Sequence, residues 1–297
     1  MSATTTGPGT TPTASSAGST RLREWAETLG LLLRSPTFLA GALILGFWVF
    51  CAIFGELIVP YDPLETDLLA VLEPPSADHW FGADQLGRDV FSRVIVGSRD
   101  ILTIAPLATL LSTILGTLLG LVTGYFRGLV DDVLSRIIDA LLSLPTVLIG
   151  LVALTSLGTS NTTVVFVIAF GFAPIIARTV RSSVLVEREL DYVAAARLRR
   201  ESSLYIMLAE ILPNILPPIL VEFNVRLGYA IFTVATLSFM GFGIQPPSPD
   251  WGLTISDNYG LVGGGYWWTV LYDAFAIASL VVGVNLIADA VQGVVDG

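Results

Sequence analysis

The chain is poor in side chains that do chemistry. It has no lysine, so all 15 basic residues are arginine, and it has one cysteine and one histidine among 297 residues. A lone cysteine, Cys51, excludes an intrachain disulfide framework or a thiolate metal cluster. Its place inside an apolar run reads as a small core residue; a lipoprotein acylation site would want small residues before it, where Val49 and Phe50 stand. The single histidine, His79, lies among scattered acids in a loop and makes no metal site. A formal net charge of −10 argues against a nucleic-acid partner. No G-x-x-x-x-G-K-[ST] stretch is present to cradle nucleotide phosphates. No His, Cys or paired-carboxylate constellation has the spacing that catalysis needs. The expectation is therefore no catalytic residue, no metal and no cofactor bound by this chain.

What the chain has in excess is hydrocarbon. Hydrophobic residues make up 53% of it and charged residues only 13%, with a mean hydropathy of +0.75. That composition belongs to an all-α, polytopic membrane protein. A span needs about 20 apolar residues to cross a hydrocarbon core of about 30 Å. Six runs qualify, near 37–59, 101–124, 137–157, 163–180, 214–241 and 269–291. Residues 1–20 are Thr, Ser, Gly, Ala and Pro without pattern and read as a disordered tail. A secretory signal is disfavoured, because no A-x-A-like site closes the first apolar run. In residues 21–35, Leu22, Trp25, Leu29 and Leu32 recur at helical steps opposite Arg21, Arg23, Glu24 and Glu27. This predicts an amphipathic helix at the membrane surface with Trp25 as its anchor.

Loop charge predicts the orientation. Arg21, Arg23 and Arg34 precede the first span. Arg127 and Arg136 lie between the second and third, and Arg178, Arg181, Arg188, Arg197, Arg199 and Arg200 between the fourth and fifth. The other side has Arg88, Arg93 and Arg99, and its loop 61–100 carries eight acids. By the positive-inside rule both termini are cytoplasmic, in a multi-pass protein of the cell (inner) membrane.

One stretch breaks the lipid-like pattern: "DYVAAARLRRESSLYIMLAEILPN", residues 191–214, on the cytoplasmic side. Nothing from Leu190 to Glu201 breaks a helix, and Asp191 suits its N-terminal end. Ala194, Ala195 and Ala196 reduce part of its surface to backbone and methyl, so another protein can approach closely. Arg197, Arg199 and Arg200 supply charge for that surface. A solvated loop that only satisfies topology is the alternative.

Residues 192–213 resemble the cytoplasmic Glu-Ala-Ala loop of importer-type ABC transporter permeases, in which E-A-A is followed by three residues, Gly, nine residues and I-x-L-P. Ala195, Ala196, Leu212 and Pro213 fit; Ala194 stands where Glu is usual, Arg200 where Gly is usual and Glu210 where Ile is usual. "FGADQLGRDVFSRVIVGSR" (81–99) and "LSFMGFGIQPPSPDWG" (237–252) are similar to the external loop and the post-fifth-span segment of the dipeptide, oligopeptide and nickel permeases. The resemblance extends through "GLVDDVLSRIIDALLSLP" (128–145) and a last helix containing Asn285. Its end, "IADAVQGVVDG", departs from the usual Gly-Asp and late basic residue.

The resemblance implies a six-helix permease domain over 36–297, with an external loop at 61–100 and a cytoplasmic coupling loop at 181–205. It implies a homologous second permease and two ABC ATPases that hold ATP and Mg. An extracytoplasmic substrate-binding protein would deliver a peptide or related solute. Asp191, Tyr192, Ala194, Ala195, Ala196, Arg197, Arg199 and Arg200 would then face an ATPase. ATPase closure would move that helix and tilt the spans between inward- and outward-open states.

Other residues are read from their spacing. Asp84 is expected to cap a short external helix near 88–98 with Phe91, Val94 and Ile95 on one edge and Arg88, Asp89 and Arg93 facing elsewhere; Gly82, Gly87 and Gly97 allow tight bends. That loop is expected to cover the translocation mouth, to meet the binding protein, or simply to finish the fold. Trp267 and Trp268 are expected in the interfacial aromatic belt. Glu222 and Arg226, four apart on the fifth span, are expected to pair, either as a self-neutralised brace or as pathway lining for a zwitterionic peptide. Asp273 and Asp289, near span ends, are expected to be solvated. An ion- or proton-coupled transporter or channel is the alternative function. It would want several intramembrane acids or an inverted repeat, and neither is evident.

Overall fold

The computed structural model describes residue 30 and residues 32–295, with backbone alone at 294 and 295. The tail expected at 1–20, and the helix expected at 21–35 in all but its last few residues, lie outside the described residues. Among the described residues every regular element is helical, apart from one bridge between Ala83 and Asp89.

Helix α1 (Pro36–Ile58) starts at Ser35, whose hydroxyl accepts from the Phe38 N–H, with proline at the first helical position. Helix α2 (Val90–Tyr125) has 36 residues, about 54 Å of rod. The short helix expected near 88–98 and the span expected at 101–124 are thus one helix. Its cap is Asp89, which accepts from the Ser92 N–H at 2.7 Å. Asp84 instead closes the turn before it, accepting from the N–H groups of Leu86 and Arg88 at 2.8 and 3.0 Å.

The span expected at 137–157 is not straight. It is α3 (Leu129–Leu142) and α4 (Thr146–Leu157), bent by 89° at the break. Pro145 at the break has no N–H to continue the ladder and restricts Leu144 before it. Helix α5 (Asn161–Glu187) runs beyond the expected residue 180, so Arg178 and Arg181 sit on helix rather than loop. The chain then forms the short α6 (Asp191–Leu198), a helical turn at Ser203–Tyr205 that passes into a π-helical turn at Ile206–Ile211, and α7 (Leu216–Phe239). Helix α8 (Trp251–Asn258) and a 3₁₀ turn at Tyr259–Gly264 lead to α9 (Trp268–Val295).

Helices α1, α2, α5, α7 and α9 are long and apolar enough to cross a membrane, and the bent pair makes a sixth crossing if taken as one. With that pair as one crossing, both ends of the described chain fall on the side that carries α6.

Packing centres on α2 and α5. Gly116, Gly120 and Gly124 recur every four residues on α2, opposite Ile176, Val180 and Val184 of α5. A methyl added at Gly120 would sit 2.6 Å from the Val180 Cβ, so the backbones approach to a distance only glycine allows. Helices α1 and α9 meet the same way at Gly41 and Gly283, and the Trp48 indole donates to the Ser279 hydroxyl at 2.9 Å.

Candidate functional site

At one end of the molecule α6 is seated on the chain's own interior. Val193 and Ala196 are fully buried, in one cluster with Leu121 of α2, Val180 and Val184 of α5, and Ile206, Met207 and Ile211 of the π turn. Ala194 and Ala195 are exposed, as are Asp191, Arg197, Arg199 and Arg200. The three alanines therefore divide between two partners: Ala196 packs inward, and only Ala194 and Ala195 remain outward. The helix also ends at Leu198, short of Glu201, because Arg200 adopts a left-handed φ of 61°.

Polar contacts lock this seat. Arg188 donates to the last carbonyls of α2, Gly124 and Tyr125, at 3.3 and 2.6 Å, satisfying acceptors that the helix end leaves open. Arg197 lies 5.6 Å over the Tyr125 ring and Arg199 donates to Glu210 at 2.9 Å. The Tyr192 hydroxyl donates to Glu187; burial first, then that carboxylate, push its pKa up to about 12. Among the described residues, Arg200 has no ion-pair partner.

Between the ends lies the intramembrane pair. Arg226 Nε donates to Glu222 Oε2 at 2.9 Å, and the Thr179 hydroxyl of α5 donates to the other carboxylate oxygen at 2.8 Å. The guanidinium also sits 5.4 Å from the centre of the Tyr229 ring. At about the same level of α5, Asp131 of α3 takes a two-pronged contact from Arg181, both bonds 2.7 Å, and Asp139 pairs with Arg178. These pairs hold the bent α3 to α5.

The opposite end is a polar cap built around Arg93, expected to face away from the apolar edge of Phe91, Val94 and Ile95 and found fully buried. Its guanidinium donates to the carbonyls of Pro63 and Ser248 at 3.0 and 3.2 Å and to the Thr254 hydroxyl at 2.9 Å. One side chain thus ties the 61–89 lobe, the start of α2, and α8 together. Asp84 pairs with Arg88 at 2.7 Å and lies 3.8 Å from Arg93. Gly87 turns the lobe at a φ of +72°. His79 is not alone: its Nδ1 is 2.9 Å from Asp89. Trp268 leaves the aromatic belt, buried with its N–H on the Ala83 carbonyl at 3.2 Å, while Trp267 is exposed. Asp273 is fully buried rather than solvated; Asp289 is exposed. Asp250 caps α8 through the Leu253 N–H at 2.9 Å, and burial, reinforced by nearby Asp100, pushes its pKa up to about 6.

Sequence reasoning missed the α2 glycine ladder, the buried Arg93 and Trp251, whose N–H reaches the Val94 carbonyl at 2.8 Å. Only the first had a visible signal, the G-x-x-x-G-x-x-x-G spacing of 116–124.

Among the described residues, an all-helical, multi-pass membrane body with a short helix seated across three of its spans has the architecture of a class: the permease subunit of a transporter. Two family profiles match the chain, "binding-protein-dependent transport system inner membrane component" over residues 116–297 and "N-terminal TM domain of oligopeptide transport permease C" over 24–75. The chain belongs to the binding-protein-dependent transport system inner membrane component family. It is 35% identical to the dipeptide transport system permease protein DppC of Alkalihalophilus pseudofirmus over 93% of this chain and 91% of the relative. It is also 35% identical to the probable D,D-dipeptide transport system permease protein DdpC of Escherichia coli, over 91% of each. An inward-facing structure of the MetNI methionine ABC transporter shares the fold, with a TM-score of 0.56 and 18% identity over 68% of this chain and 96% of that one. Family membership removes the stand-alone channel or ion-coupled alternative.

Proposed function

We propose that this permease subunit forms half of the pathway of an ATP-driven importer of peptides. A homologous permease supplies the other half, and two ABC ATPases, which bind the ATP and Mg, dock on α6. An extracytoplasmic protein delivers solute to the Arg93 cap. Both termini are then cytoplasmic, as the arginine distribution supports. The peptide class rests on the names of relatives that match along nearly the whole chain.

The observation that carries the reading is the seat of α6. A push on Ala194 and Ala195 from outside reaches Ala196 and Val193, and through them the ends of α2 and α5 and the approach to α7. A short helix rigidly joined to three spans transmits domain closure where a floppy loop would not. Both carboxylate oxygens of Glu222 are occupied, one by Arg226 and one by Thr179, so the pair acts as a brace between α5 and α7 rather than a substrate contact.

The test separates the two alanine faces. Ala195→Trp overfills the outward surface, and overpacking costs about 1–3 kcal/mol, or about 5- to 150-fold in docking. It should lower ATPase copurification and transport-coupled ATP hydrolysis while leaving permease melting unchanged. Ala196→Trp should lower the melting temperature of the permease itself. Full coupling in Ala195→Trp would overturn the assignment of α6 as the ATPase contact.

A further inference from the structure

The α2 rod is gripped at both ends, and at the α6 end the grip comes from a residue that belongs to neither helix. Arg188 is the C-terminal cap of α5, just before α6 begins. Its side chain is only 14% exposed, and its Nη1 donates to the carbonyls of both Gly124 and Tyr125. Those are two of the carbonyls that a helix end leaves open, and α2 has no basic residue in its own last turn to answer them. Arg188 also approaches the Tyr125 ring at 5.9 Å, and Arg197 of α6 stands over the same ring at 5.6 Å. The end of α2 is thus held by one arginine before α6 and one within it. Arg127, next to this site, pairs instead with Glu189 at 2.9 Å, both side chains being exposed.

At the other end of α2, Arg93 is bonded to Pro63, Ser248 and Thr254. Between the two grips the helix is uninterrupted, Pro106 included. A rod of about 54 Å therefore joins the seat of α6 to the polar cap. The apolar contact of Val193 and Ala196 with Leu121 transmits a push along this path. Apolar contact is non-directional, however, and lets packed helices slide. Hydrogen bonds to backbone carbonyls are lost when their geometry is lost, so they hold the end of α2 against both push and pull.

We infer that Arg188 is a positioning residue of the transport cycle: it fastens α2 to α6, so that displacement of α6 in either direction reaches the polar cap. This rests on the importer reading above. Arg188 acts through the Gly124 and Tyr125 carbonyls, and the outward Ala194 and Ala195 surface does not depend on it.

The test uses the assembled complex in nanodiscs. Hydrogen exchange of the cap amides at 82–93 is followed with and without ATP and vanadate, which trap the ATPases closed. In the wild type, trapping should change exchange there about 3-fold or more. Arg188→Gln should abolish that change, while ATPase copurification stays within about 2-fold. Arg188→Lys keeps the charge but only as a point donor, and should keep part of the change. Arg127→Gln, which removes a neighbouring exposed charge, should behave as wild type. A residue that only stabilised the fold would alter exchange in the free and trapped states alike and leave their difference intact. A wild-type difference in Arg188→Gln would therefore overturn the inference. Should that variant fail to fold, Arg188→Lys combined with Arg197→Gln takes its place, and a full wild-type difference there overturns it equally. A wild-type cap that ignores trapping, in a complex that retains its ATPases, would also overturn it. Absence of copurifying ATPases from the wild type would instead overturn the importer reading.

Discussion

Arg200 shows how a single departure from a family pattern becomes physical. The α6 helix ends in two reversed hydrogen bonds, Arg200 N–H to the Arg197 carbonyl at 3.0 Å and Glu201 N–H to the Ala196 carbonyl at 3.2 Å. Such an ending needs a left-handed residue at the position that Arg200 fills with φ 61°. The pattern's usual glycine adopts that conformation freely, whereas a Cβ makes it costly. Arg200→Gly should therefore raise stability by about 0.5–1 kcal/mol despite the entropy glycine adds to the unfolded chain. In a chain of this size that is a rise in melting temperature of about 1–2 °C. A drop in thermal melting of the purified permease would contradict strain at this residue. The exposed Arg200 side chain makes no ion pair among the described residues that the change would remove.

Among the elements, the α2–α5 pair depends most on close approach. Its three glycines face β-branched side chains, and a Cβ at Gly116, Gly120 or Gly124 would lie 2.6–2.7 Å from Ile176, Val180 or Val184. Gly120→Leu would have to separate the helices and with them the floor on which α6 sits. A loss of at least about 1–3 kcal/mol is expected, read as lower thermal stability and reduced recovery of the assembled complex. Gly46→Ala on α1 is the control: no atom lies within 4 Å of the added methyl, so helix propensity alone predicts a neutral or slightly stabilising change. Equal melting of the two variants would mean that the ladder is not under close contact. The α3–α4 break is the other lesson at this scale. Hydropathy counted 137–157 as a continuous span, but Pro145 interrupts the backbone whatever the side chains around it prefer.

Across the whole molecule, the polar cap and the α6 end place opposite demands on charge. Near α6 the carboxylates of Asp131 and Asp139 are answered by arginines. In the cap, Asp250 is buried with a pKa pushed up to about 6 and one carboxylate oxygen without a partner. Between about pH 4, where an unfolded aspartate releases its proton, and about pH 6, the folded chain still holds it. Stability from this group is therefore complete below about pH 4, falls as pH rises through the window, and is absent above about pH 6, a span of about 3 kcal/mol at most. Asp250→Asn keeps an N-cap side chain and should flatten that part of the pH profile. Melting the wild type and D250N in parallel from pH 4 to pH 7 checks it: identical slopes would show that Asp250 does not titrate in this window.

Much of this protein was already determined by one-dimensional properties. Hydrocarbon content and run length dictate a multi-helix membrane chain, arginine placement dictates which loops share a side, and the spacing of 191–213 marks the interrupted loop. Such features need only composition and local order. The four-residue step from Glu222 to Arg226 is equally local, and the 2.9 Å contact follows from helix geometry. What only tertiary structure decided involves residues distant in the chain. Ala196 turned inward because the π turn and α5 close over it, while Ala195, one position earlier, remained outside. Arg93 became the centre of the cap because Pro63, Ser248 and Thr254 converge on it from two remote segments. Asp273, which read as solvated, and Trp268, which read as interfacial, were buried by that same convergence. Burial depends on which surfaces meet after the chain folds back, and no local pattern of hydropathy or charge encodes that meeting.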